Sequence, residues 1–200
     1  MENNQLSSFA PASPDEFVAW LKANDACADA VAWVGKRSAL EALAALEPTT
    51  QHIKWSCWMA DRILPDEARR LRAALLRTMP ERLVALPTVA GVIRALEADP
   101  FDAARLAEAG DAACAAWWTV WTPRRARAAE SAVWAAMTAT TAARAAETAA
   151  EAARAAGVDA EDVLRQQLAV VKEALGDQAR LATARRTREA AWLDTAAEGL

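Results

Sequence analysis

His52, Cys57 and Asp61 are residue types from which a thiolate nucleophile, its base and a metal-ligand set are built, and they stand close together in the chain. On a helix Cys57 and Asp61, at i and i+4, share a side, whereas His52 and Cys57, at i and i+5, do not align as well. A nucleophile also needs an orienting carboxylate and donors for the developing oxyanion, and the surrounding sequence marks neither. No nearby fourth ligand completes a zinc pattern. Cys27, Cys57 and Cys114 are odd in number and widely spaced, so they give no disulfide framework and are expected to be small buried side chains. Glu147 and Glu151 read as members of a charged helix face shared with Arg144 and Arg154, where each pair is worth about 0.2–0.5 kcal/mol, and not as an acid–base couple. No phosphate-binding loop, dinucleotide fingerprint or histidine–glutamate zinc motif is present. The sequence thus predicts a non-enzymatic protein with no cofactor and no metal.

Binding chemistry is better represented. The chain holds nine tryptophans, large rings that fill cores or anchor interfaces and carry a single donor. Trp33, Trp55 and Trp58, with Trp20, form one group, and Asp25, Asp29 and Asp61 would rim it with negative charge, an arrangement suited to a protein partner with a basic surface. Trp117, Trp118, Trp121 and Trp134 form a second group, expected to pack the core. Two arginine groups, Arg124, Arg125 and Arg127 and then Arg180, Arg185, Arg186 and Arg188, would make a basic patch if folding joined them. Nucleic acid is the partner such a patch would suit. The net charge of −4 weighs against a surface built throughout for polyanions.

The elements that must position these residues are helices. Tyrosine is absent, phenylalanine scarce, and alanine and leucine abundant, which removes the side chains that fill sheet surfaces and lowers the cost of helix formation. The expected architecture is all-α: a compact antiparallel multi-helix bundle with a long alanine-rich helix. Residues 1–13 form a flexible lead, and 14–200 one helical domain with a compositional seam near Asp99. Ser13-Pro14-Asp15-Glu16 and Ser38-Ala39-Leu40-Glu41 are helix starts of the capping-box type. Further starts are expected near Asn24, Thr50, Pro65, Thr88, Pro100 and Asp159, a stop at Gly35, and a division of the 100–121 segment at Gly110.

From Thr122-Pro123 to Gly157 neither glycine nor proline intervenes, so a single unbroken helix is predicted. Within it Ala129, Ala136, Ala143 and Ala150 recur every seven residues, as do Ala132, Ala139, Ala146 and Ala153, with Ala128, Ala135, Ala142, Ala149 and Ala156 widening the face. Such a face contributes little apolar area per position but admits a second backbone closely. Self-association through it is the alternative to a core role. No segment combines the length and hydrophobicity of a membrane span, and the first residues lack a signal-peptide pattern, so a soluble cytoplasmic protein is expected.

The run Asn24-Asp25-Ala26-Cys27-Ala28-Asp29-Ala30-Val31-Ala32-Trp33, followed by Trp55-Ser56-Cys57-Trp58 on an apolar helix, resembles segments of bacterial immunity proteins of the Imm5-like group. The alanine-rich texture of Ala112 to Ala156 is similar as well. What the resemblance implies is a soluble inhibitor that blocks a cognate protein toxin by contact. Under that expectation Trp55 or Trp58 is the apolar anchor, and Asp25 or Asp29 faces a basic surface. The alternatives are an oligomeric regulatory adaptor of bacterial or phage origin and a nucleic-acid-associated helical protein.

Overall fold

The computed structural model describes residues 13–64, 67–119 and 126–176, and every regular element among them is a helix. The described residues fall into two compact units: those up to Leu46 together with those from Lys172 onward, and Glu47–Val171. Asp99 lies inside the second unit.

The first unit opens with α1 (Pro14–Ala23), where the Ser13 hydroxyl accepts from the Glu16 N–H at 3.2 Å and Pro14 occupies the first turn. α2 (Ala28–Val34) begins a few residues after the expected start near Asn24, because Asp25 takes a left-handed φ of 61° that interrupts the helical path. It stops at Gly35, whose φ of 56° suits a residue without a Cβ. α3 (Ala39–Ala45) carries the full reciprocal box between Ser38 and Glu41. Phe17, Leu21, Ala30, Val34, Ala42, Leu43, Leu46 and Leu175 are buried apolar side chains of this unit. The Lys172 ammonium closes the C-terminal end of α3 by donating to the carbonyls of Ala44 and Leu46 at 3.1 and 3.0 Å.

The second unit holds α4 (Thr50–Ile63), α5 (Ala68–Leu76), the one-turn α6 (Glu81–Val84), α7 (Pro87–Glu97), α8 (Ala103–Thr119), α9 (Ala126–Thr138) and α10 (Ala142–Ala155). A further helix, α11, covers 160–176 and passes from this unit into the other; the Asp159 carboxylate accepts from the Glu161 N–H at its start. α10 is the hub of the unit, packed against α4, α5 and α9. Ala142, Ala145, Ala149, Ala152 and Ala153 are wholly inaccessible on it. Methyl groups do not bury enough area to drive this alone; larger buried side chains add to it, Val163 packed with Ala150 and Ala153, and Ile53, Leu71, Leu75 and Leu76 carried by the neighbouring α4 and α5.

Two expectations about continuity are corrected. α8 runs through Gly110 without a break: a helical glycine costs about 1 kcal/mol, and packing against α7 and α9 outweighs that. Conversely, the alanine-rich stretch is two helices and not one, interrupted at Ala139–Thr141. Threonine hydroxyls begin the interruption, since Thr138 Oγ1 donates back to Trp134 O at 2.8 Å, and Thr141 turns extended and caps the Arg144 N–H at 3.1 Å. Side chains from α4 and α5 complete it. Arg72 donates to Ala139 O and Thr140 O at 3.3 and 2.8 Å, and Asp61 Oδ2 accepts from the Ala142 N–H at 2.9 Å. Groups left over at the two helix ends thereby find partners of the charge that the helix dipole favours.

All of the expected 1–13 lead except Ser13, the start at Pro65 and the final helix beyond Gly176 lie outside the described residues.

Candidate partner-binding site

α4 is the best-defined carrier of candidate residues. Thr49 Oγ1 accepts from the His52 N–H at 3.2 Å, and His52 Nδ1 in turn accepts from the Glu47 N–H at 3.0 Å, so the imidazole is folded back over the start of the helix. Its ring lies 5.4 Å from that of Trp55. Ile53, Ser56, Cys57 and Ala60 form the inner face, all at 2% exposure or less. The periodicity of these four positions obliges Trp55, Trp58, Met59 and Arg62 to take the other side.

Cys57 has no accessible surface, and burial, reinforced by the charge of Asp61, pushes its thiol far above the ordinary thiol range. A thiol in that condition is a packing group, not a nucleophile. His52, Cys57 and Asp61 hold three separate structural positions: a helix-start acceptor, a core side chain and an acceptor for α10. Cys27, in contrast with the expectation of burial, is exposed at the start of α2. The Cys114 side chain lies outside what is described. Among the described residues no group of three or more His, Cys, Asp or Glu side chains is placed to hold a metal ion.

Trp55 and Trp58 are each half-buried. The Arg62 guanidinium lies 5.3 Å from the Trp58 ring centroid, a cation–π contact that holds both side chains along the helix. Asp61 does not form a free acidic rim. Burial raises its carboxyl above the usual range, and the Ala142 N–H, Arg72 and Arg62 pull in the opposite direction.

Asp25, Asp29 and Trp33 belong to the first unit, and Trp55, Trp58 and Asp61 to the second. Asp29 and Trp33 are at i and i+4 on α2, with Trp33 half-buried and the Arg37 guanidinium 5.2 Å from its ring. Arg37 also donates to the Trp33 carbonyl, closing the C-terminal turn of α2. Asp25 and Asp29 are exposed, and among the described residues neither carboxylate meets a hydrogen-bonding or ionic partner. Each unit thus presents a half-buried tryptophan beneath an arginine, and the first adds two solvated carboxylates.

The second tryptophan group is described in part. Trp134 is 43% exposed on α9, against the expectation that it fills the core. The side chains of Trp117 and Trp118, and Trp121 as a whole, lie outside the described residues. So do the side chains of the expected basic patch, Arg124, Arg125, Arg127, Arg180, Arg185, Arg186 and Arg188. Of the described arginines, several are engaged locally: Arg70 with Asp99, Arg77 with Glu97, and Arg165 with Glu161 and Asp162.

Sequence reasoning missed the pairing of Lys54 with Glu147, whose charged atoms meet at 3.0 Å, because the partners are far apart in the chain. It also missed Gln167, 1% exposed, whose Nε2 donates to Ala146 O and Thr78 Oγ1. The available signal was a glutamine falling between Val163 and Val171 on the apolar stripe of α11.

No family model matches the chain, and no curated protein or solved structure matches it. No helix among the described residues is long and apolar enough to cross a membrane.

Proposed function

We propose that this protein is a non-enzymatic helical binding protein that inhibits a cognate protein toxin by covering part of its surface, as an immunity protein does. The observation that carries the reading is the division of α4 into a closely packed inner face and an outer face with two half-buried tryptophans. An anchor of this kind loses little freedom on binding, because core packing already fixes its helix. Large rings in that position are the side chains that dominate protein interfaces. Asp25 and Asp29 supply solvated negative charge for attraction to a basic partner, an effect expected mainly on the association rate. The resemblance of the segments carrying these residues to Imm5-like immunity proteins points the same way. Self-association through the alanine seam is less favoured, since most of the alanines that would form it are buried within a single chain.

The test begins with capture of partners by the tagged full-length chain in its native cell and reconstitution of the recovered pair from purified components. Trp55→Ala and Trp58→Ala should each weaken binding by about tenfold or more, equivalent to about 1.4 kcal/mol. Asp25→Asn with Asp29→Asn should slow association and reduce its salt dependence. Full affinity in every folded variant would remove these residues from the interface.

A further inference from the structure

α3 and α4 begin with the same reciprocal device built from different chemistry. In both, the hydroxyl ahead of the first turn accepts from the N–H of the third helical residue, Ser38 from Glu41 at 3.3 Å and Thr49 from His52 at 3.2 Å. In both, the side chain of that third residue reaches back to accept from a backbone N–H ahead of the helix. Glu41 Oε2 takes the Ser38 N–H at 2.8 Å, whereas His52 Nδ1 takes the Glu47 N–H at 3.0 Å. One box is thus closed by a carboxylate and the other by an imidazole, which belongs to the chain's one histidine.

The two acceptors respond to different acidities. Hydrogen bonds from the Ser38 backbone and hydroxyl hold the Glu41 carboxyl below its usual range, so the box of α3 stays closed until the solution is strongly acidic. Imidazole, by contrast, is the side chain that changes charge in mildly acidic solution. Nδ1 accepts only while it carries no proton, so proton uptake there and the bond from Glu47 exclude one another. The helix dipole acts in the same direction, because it disfavours a cation at a helix start and no acidic residue stands in the first turn of α4 to offset it. Among the described residues, the Glu47 carboxylate is exposed beside the imidazole, and Lys54 is held by Glu147 of α10 at 3.0 Å. Glu147, Glu151 and Arg154 meet α4 beside Thr50, Ile53 and Lys54, roughly half a helical turn round from His52. Asp61 and Arg62, with Arg72 of α5, stand at the far end of the helix.

We infer that His52 is a proton-operated latch on the start of α4, closed on Glu47 while its imidazole is neutral and released when Nδ1 takes up a proton. Glu47 is the residue with which the second unit begins. Release returns its N–H to water and loosens the chain ahead of the helix, while Thr49 Oγ1 keeps its bond to the His52 N–H and α4 itself persists. The response is confined to this helix start, since the Ser38–Glu41 box stays shut over the same range. The latch does not depend on the toxin-inhibitor reading.

The experiment is nuclear magnetic resonance of the isotope-labelled full chain from about pH 8 to about pH 5, the range in which imidazole changes charge. Ring-nitrogen shifts should show Nδ1 without a proton at the upper end. Protection of the Glu47 amide, its exchange rate set against the rate intrinsic to each pH, should fall by about fivefold in step with protonation of the ring, the scale of one hydrogen bond. The Ser38 amide is the internal control and should keep its protection. His52→Asn places a carbonyl oxygen near the position of Nδ1 with no titrating group, and should hold Glu47 protection constant with pH. Glu47→Gln should retain the step, which separates it from the neighbouring carboxylate. A proton on Nδ1 at the upper end, Glu47 protection indifferent to the charge of the ring, an equal loss at Ser38, or the same step in His52→Asn would each overturn the assignment.

Discussion

Cys57 and Cys27 show how the same residue type acquires different chemistry from its surroundings. Cys57 is enclosed by the inner face of α4, with its thiol held protonated, whereas Cys27 stands in solvent. Treatment of the native protein with iodoacetamide near neutral pH should modify Cys27 and leave Cys57 intact until denaturant is added, as read by peptide mass mapping; rapid native labelling of Cys57 would contradict its placement. Glu147 gives a pH prediction. The hydrogen bond from Lys54 chiefly, then the charges of Lys54 and Arg144 and the bond from Arg144, outweigh burial and hold its carboxyl below the usual range. A carboxyl depressed in the folded state contributes stability that is fully present above its unfolded pKa and lost as pH falls through the folded value. The melting temperature of the wild type should therefore fall more steeply on acidification than that of Glu147→Gln, and coincident acid limbs would refute the coupling. Neither environment was legible in sequence. The spacing of Cys57 and Asp61 announced a shared helix side, but burial of the thiol and the use of Asp61 by α10 depend on elements remote in the chain.

At the level of elements, α10 is the part the sequence described best and also misjudged. Seven-residue recurrence placed Ala146, Ala149, Ala150 and Ala153 on a packed face, and all are at 2% exposure or less. Ala149→Leu should lower stability by about 1–3 kcal/mol in chemical denaturation, because extra methylene groups have no room there. The same change at Ala143, on the wall of a cavity between α4, α10 and α11, should cost much less; equal losses at the two sites would mean that the cavity is not open to a side chain. Capping chemistry was legible wherever its donor and acceptor are close in sequence, as at Ser13, Ser38 and Asp159. The break at Ala139–Thr141 was not, because threonine alone does not end a helix and the deciding partners, Asp61 and Arg72, come from α4 and α5.

For the whole molecule, composition sufficed for the all-α class, since alanine and leucine leave little to fill a sheet. It did not reveal that, among the described residues, 172–176 join those up to Leu46 in one unit while Glu47–Val171 forms another. Nothing local in Lys172 distinguishes it from a surface lysine; its bonds to Ala44 and Leu46 exist only after folding. The division predicts that an excised Glu47–Val171 fragment retains helical circular dichroism and a cooperative melt. A gradual, non-cooperative loss of signal would show that this unit depends on the rest of the chain. Within it, the interruption between α9 and α10 resembles a surface turn in its sequence but not in its attachments. Arg72 grips the outgoing carbonyls and Asp61 the incoming amide, so local fraying of either helix end must first break bonds to α4 or α5. The corner therefore acts as a shared fastener: opening becomes a collective event of four helices, and the Ala142 amide should exchange with solvent as slowly as amides of the core.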